Sequence, residues 1–215
     1  MNKRYSKVLI ILALGLFLGI ASSIGDILPF GSAFFIIGGF LNTASVWCLS
    51  AFAVGTNFRS RRYAIIVPIS FLVLSVLGYY IFGYFWGDRS EVPVITLVAT
   101  SLSWMFIALF VGALCGLSGM IAKHSRDIKK RMIAVTVPMV IIITESIISL
   151  IQLLPYLSAN SSNFIPFLIL SILILIALAI PFFVYRNKRI SIYNMILGLM
   201  LSIVGALVLM GISTI

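Results

Sequence analysis

Long apolar runs separated by short polar linkers organise this chain. There are seven, over residues 8–24, 34–57, 64–86, 94–121, 132–154, 164–185 and 192–213. Each is long enough to cross the hydrocarbon of a bilayer as a helix. Helices are also the open-chain structures that satisfy their own backbone there. The pattern predicts an all-α, polytopic transmembrane helix bundle of about seven spans. It forms a single transmembrane domain over residues 1–215. Prolines 29, 93, 155 and 166 fall at or near span ends. Pro68 and Pro138 are expected in the first two turns of their helices, where a missing N–H matters least. Pro181, near the end of the sixth span, is a candidate kink.

The linkers decide orientation. Fourteen of the fifteen basic residues fall on one side: Lys3, Arg4, Lys7, Arg59, Arg61, Arg62, Lys123, Arg126, Lys129, Lys130, Arg131, Arg186, Lys188 and Arg189. The other side holds Arg89, with Asp26, Asp88 and Glu91. The positive-inside rule puts the N-terminus in the cytoplasm and the C-terminus outside. A missed or invented span would throw later linkers onto the wrong side, so the count checks itself. The first run follows a basic head and ends near Ala21-Ser22-Ser23, as a signal peptide would. It is long for one, and the reading taken is that it is retained as a span.

Composition agrees with the pattern. Of 215 residues, 62% are hydrophobic and 9% charged, and the mean hydropathy is +1.22. So few charges cannot coat a water-soluble surface. The net charge of +10 lies in short clusters between spans, which is an orientation signal and not a nucleic-acid face. Cys48 and Cys115 lie within spans and are read as small apolar packers. No cofactor or metal set is expected. Enzyme signatures such as His-Glu-x-x-His, Gly-x-Ser-x-Gly or a Walker loop do not occur, and the chain is read as a non-enzyme. Span seven has no lysine for a retinal Schiff base.

Glu145 is the one acid or base deep inside a span. A carboxylate at the bilayer centre costs on the order of 3 kcal/mol on insertion scales, so it must face other helices. Ser149 and Gln152, four and seven residues on, share its helix face. One reading is a solute or proton site; the other is a hydrogen bond that holds helices together. Span two adds Asn42 and Trp47, with Ser45 on the Asn42 face. Span four adds Thr96, Thr100, Ser103 and Trp104. These polar groups either line a pocket for a small, partly polar ligand or bond across helices. The candidate ligand-binding set is Glu145, Asn42, Trp47, Ser149, Gln152 and Trp104, between spans two, four and five. Small residues at four-residue spacing, including Gly15 and Gly19, are packing features.

An internal repeat is visible. Trp47-x3-Ala51-x2-Val54-Gly55 in span two matches Trp104-x3-Ala108-x2-Val111-Gly112 in span four. Each is followed by a basic linker and a Val-Pro step. Spans two–three and four–five thus read as two helical hairpins of one orientation, with spans six–seven as a fainter third. Parallel repeats of this kind occur in transporters. The linker 123–131 has the highest charge density. It serves orientation and contact with membrane lipid, or it docks a cytoplasmic or membrane protein partner.

Asn42-Thr43-x-Ser45-x-Trp47, Ala51-Phe52-x-x-Gly55, Gly78-Tyr79-Tyr80 and Glu145 together resemble a family of small bacterial multi-spanning membrane proteins of unknown function. The resemblance covers spans two to five. It implies the bacterial cytoplasmic membrane and supplies no activity. A looser likeness, in size and span count, is to the substrate-binding components of energy-coupling-factor vitamin transporters, which have six spans. The functional expectation is small-solute binding or transport through a mid-membrane pocket around Glu145. The alternative is an accessory or scaffold protein that docks through its basic linkers.

Overall fold

A computed structural model describes residues 3–27, 40–87, 92–153, 164–185 and 188–213. The regular structure among them is helical. The elements are α1 (Lys3–Ile27), α2 (Ala44–Gly55), α3 (Arg61–Trp86), α4 (Val94–His124), α5 (Ile128–Leu153), α6 (Phe164–Val184) and α7 (Lys188–Ser213). They correspond one to one with the seven apolar runs. Five of them, α1, α3, α4, α5 and α7, are long and apolar enough to cross a membrane. Two shorter apolar helices, Ala44–Gly55 and Ile169–Val184, complete the set. Leu9, Phe17, Ile95, Phe106, Phe183 and Met200 are among many large apolar side chains left exposed. Such an apolar exterior fits lipid contact and a multi-pass membrane protein.

Three expectations change. Span two is not one helix over 34–57. The chain is helical at 40–41, breaks at Asn42–Thr43 and restarts at Ala44; residues 34–39 lie outside the described residues. Thr43 is extended, and its hydroxyl accepts the Val46 N–H as an N-cap. Its side chain therefore competes with the helix for backbone bonds. At 12 residues, α2 is about 18 Å long. Asn42 consequently does not share a helix face with Ser45. Second, Pro68 and Pro138 are the eighth and eleventh residues of their helices, because α3 and α5 start in the basic linkers. Third, Asp26 is in the last turn of α1 and not in a linker.

The chain divides into two compact units, Met1–Met120 and Ile121–Ile215. In the first, α1 packs against α3. A Cβ on Gly15 would meet the Phe71 carbonyl oxygen at 2.5 Å, and one on Gly19 the Ser75 oxygen at 1.9 Å. Residue numbers rise together along the seam, so α1 and α3 are parallel. Ser75 Oγ donates across it to Gly15 O at 2.8 Å. Close backbone approach is what small residues allow between membrane helices. The same device joins α2 to α4, where a Cβ on Gly55 would stand 2.0 Å from Gly116 O, and one on Gly119 2.0 Å from Phe52 O. Pro68 denies the Ala64 carbonyl its helical donor; Gly116 of α4 packs there, its Cβ direction 2.3 Å from that oxygen. Cys48 and Cys115 are buried and unbridged.

In the second unit α5 and α7 are also parallel. Asn194 meets Thr136, Gly198 meets Met139, and Thr144 meets Ser202. α6 packs against both. Each unit therefore holds two parallel helices separated in sequence by one apolar helix. The registers agree as well. Gly19 and Thr144 are each seventeenth in their helices, Ser75 and Ser202 fifteenth, Gly78 and Gly205 eighteenth. The packing thus relates α1–α3 to α5–α7, with α4 between them in sequence. This differs from the hairpin correspondence of spans two–three with four–five read from the tryptophan motif.

Candidate functional site

Glu145 is half-buried on α5. Its neighbours Ile142, Ile143, Thr144 and Ser146 are buried. Thr144 Oγ1 donates to Ser202 O of α7 at 3.2 Å, which fixes that face of α5 against its neighbour. Ser146 is fully buried, and its hydroxyl has no hydrogen-bond partner among the described residues. Ser149 is half-buried and Gln152 exposed. The stretch thus runs from a packed seam to an open end.

Nearer the basic end of the second unit the polar groups are structural. Asn194 is 0% exposed. Its amide donates to Met132 O at 3.1 Å and to Thr136 Oγ1 at 2.7 Å. Thr136 in turn donates to Met132 O, so the amide orientation is set and its oxygen is left without a donor among the described residues. Arg131 ties three segments together. Its Nε donates to Ala122 O at 2.9 Å and Nη2 to Val184 O at 2.8 Å, and the guanidinium lies 5.3 Å from the Tyr185 ring centroid. Sequence alone made Arg131 one more orientation charge. Its fork geometry distinguishes it from Lys129 and Lys130, which are exposed. Asp127 caps α5 by accepting the Lys129 N–H at 2.9 Å.

The first unit gathers a second polar group. Asn42 Nδ2 donates to the Asp26 carboxylate, 3.2 and 3.4 Å from its two oxygens, and stands 3.3 Å from the Tyr79 hydroxyl. Tyr79 OH donates to Asp26. Trp47 Nε1 donates to Leu41 O at 2.9 Å, bridging the helix break beside Asn42. α1, α3 and the α2 break thus converge on one carboxylate, at the end of the unit remote from the basic linkers. Sequence reading found Asn42 and Trp47 but missed Asp26 and Tyr79. Asp26 passed as a linker acid and Tyr79 as one ring of an aromatic belt. Trp104 is elsewhere, 43% exposed on α4. The Thr100 and Ser103 hydroxyls bond back to Thr96 O and Ala99 O of their own helix.

The six expected residues therefore fall into separate groups. Asn42 and Trp47 meet at the α2 break, Trp104 stands apart on α4, and Glu145, Ser149 and Gln152 follow one another along α5.

No curated protein and no solved structure matches the chain. The shape likeness to energy-coupling-factor components gains no support. One family does match, over residues 1–214, well beyond the four spans that carried the resemblance, and its description is a family of unknown function. This helical membrane protein belongs to the DUF6518 family.

Proposed function

We propose that the protein binds, and carries across the bacterial cytoplasmic membrane, a small polar solute, with Glu145 as the anchoring or proton-carrying group. The observation that supports this reading is an acid held within the apolar helix α5, next to a buried Ser146 hydroxyl with no partner among the described residues. Ionisable groups inside membranes mark solute and proton paths. A buried hydroxyl with no partner among the described residues is an opening for a polar ligand. Ser149 and Gln152 continue the same helix face toward the open end.

A second reading, an accessory protein of a membrane complex, is favoured by Lys129 and Lys130. Both are exposed, and Lys130 is only loosely paired with Asp127, at 4.0 Å. Native mass spectrometry of the gently extracted protein separates the two readings. A bound small molecule that is lost in Glu145→Gln is the expected result. A co-purifying protein, with no small molecule in either form, sinks the solute reading in favour of the accessory one.

A further inference from the structure

At the basic end of the second unit two polar atoms are buried with no hydrogen-bond partner among the described residues: the Tyr185 hydroxyl and the Asn194 amide oxygen. Asn194 is 0% exposed and Tyr185 8%. A phenol carries an O–H to donate, and an amide oxygen only accepts. The two are complementary, yet they do not bond each other. The fold brings them to one place from α5, α6 and α7. The Tyr185 ring centroid lies 5.3 Å from the Arg131 guanidinium, and the Asn194 amide donates to the oxygen of the next residue, Met132, at 3.1 Å. Pro181 O, in the last turn of α6, accepts both the Tyr185 N–H at 2.9 Å and the Ser191 hydroxyl at 3.2 Å. Ser191 is buried and lies three residues before Asn194, on the same face of α7. Arg131 bonds Ala122 O through Nε and Val184 O through Nη2, and neither bond uses its Nη1 donors.

We propose that a water molecule is held inside the second unit between α5, α6 and α7, accepting the Tyr185 O–H and donating to the Asn194 amide oxygen. Buried polar groups that the chain does not pair are commonly settled by internal water, which needs a few polar partners around it. Water both donates and accepts, so one molecule answers both atoms. Both are shut off from the surface, which limits the occupant to something this small. The Arg131 guanidinium, stacked on the Tyr185 ring, is the neighbouring donor. The site links Tyr185 and Asn194 to the tie that Arg131 makes at the basic end. It uses neither Glu145 nor Ser146, and stands or falls independently of the solute reading.

The test is X-ray hydroxyl-radical footprinting of the full chain in nanodiscs, with rapid mixing into heavy-oxygen water. Radicals formed from a bound water label the side chain beside it, however deep it lies. Tyr185 should be labelled faster than Met139, which is 0% exposed in the same unit, although a thioether oxidises readily. The label on Tyr185 should still carry light oxygen just after mixing, because an internal water exchanges late. An unlabelled Tyr185 means a dry site, and heavy oxygen from the first moment means bulk water; either overturns the proposal. In Asn194→Leu the water loses its acceptor, and the light-oxygen label on Tyr185 should fall. An unchanged label overturns the bridge. Should Asn194→Leu fail to fold, Tyr185→Phe decides. The ring remains but the hydroxyl that holds the water is gone, so the label at position 185 should fall, and an unchanged label overturns the bridge. Thermal unfolding of Tyr185→Phe adds a sign. Removing a bonded hydroxyl should lower Tm, whereas removing a buried hydroxyl that has no partner at all raises it. A rise in Tm overturns the site.

Discussion

Each unit is built on a pair of parallel helices, and the two fill the seam of that pair differently. In the first, α1 and α3 meet backbone to backbone. Gly15 and Gly19 lie against the Phe71 and Ser75 carbonyls with no room for a Cβ. In the second, the parallel pair α5 and α7 meets through side chains: Asn194 with Thr136, Thr144 with Ser202. A Cβ on Gly205 would find Thr144 Oγ1 at 3.2 Å and nothing closer. Lipid offers apolar helices no hydrophobic reason to associate, so close packing and interhelical hydrogen bonds must hold them. One unit relies on the first and the other on the second. Among the described residues, buried polar atoms go unpartnered in both units, including Ser23 Oγ on α1 in the first and Ser146 Oγ and Asn194 Oδ1 in the second. The first unit keeps Asp26, Asn42 and Tyr79 at the end remote from the basic linkers.

The largest effect that separates the seams should come from adding one methyl group to each. Gly19→Ala places a Cβ 1.9 Å from a backbone oxygen that cannot rotate away. We expect a loss of about 3 kcal/mol or more, at the upper end for overpacking. Gly205→Ala meets a rotatable hydroxyl at 3.2 Å and gains about 1 kcal/mol of helix propensity. Its net effect should be close to zero. Thermal or chemical unfolding of the two variants measures this directly. Equal losses would mean that both seams rest on backbone contact.

Next in size is Arg131. It donates to two carbonyls on other segments and lies over Tyr185. Arg131→Gln should lower stability by about 2–4 kcal/mol, since hydrogen bonds to a charged group contribute about 1.5–3 each. Lys129→Gln, at an exposed position, should stay within about 0.5 kcal/mol. The same unfolding measurement compares them. If the two substitutions matched, Arg131 would be an orientation charge like its neighbours, and the second unit would lack its tie at the basic end.

How much of this was legible beforehand depended on the kind of signal. Hydropathy runs located seven helices, because twenty apolar residues have one stable solution in a bilayer. Glycine spacing at Gly15 and Gly19 flagged a packing face, but did not say that α3 was the partner. The break at Asn42–Thr43 was hidden for a physical reason. A capping threonine inside an apolar run barely changes the hydropathy, yet its side chain replaces the backbone bonds that would continue the helix. Asp26 and Tyr79 were out of reach because they lie 53 residues apart in sequence and meet only when α1 and α3 run parallel. Arg131 differed from adjacent lysines by geometry alone. Glu145 was legible because a lone acid in an apolar helix needs no partner to stand out.

The finest test of the contrast removes one hydroxyl from each seam, in Thr144→Val and Ser75→Ala. Thr144 Oγ1 donates across the seam to Ser202 O at 3.2 Å. Ser75 Oγ is shared between Gly15 O across the seam at 2.8 Å and Phe71 O in its own helix at 2.9 Å. All these acceptors are carbonyls within helices and have N–H donors of their own. Losing the hydroxyl therefore strands no buried group. Interhelical bonds of this type average about 0.6 kcal/mol in membrane proteins, and both losses should fall near that figure. Thr144→Val should be the larger, because the glycine beside that bond, Gly205, meets only the threonine side chain and no backbone. A loss above about 2 kcal/mol for Ser75→Ala would reverse the argument. The serine would then hold α1 to α3, and the glycines would only permit the approach that lets it bond.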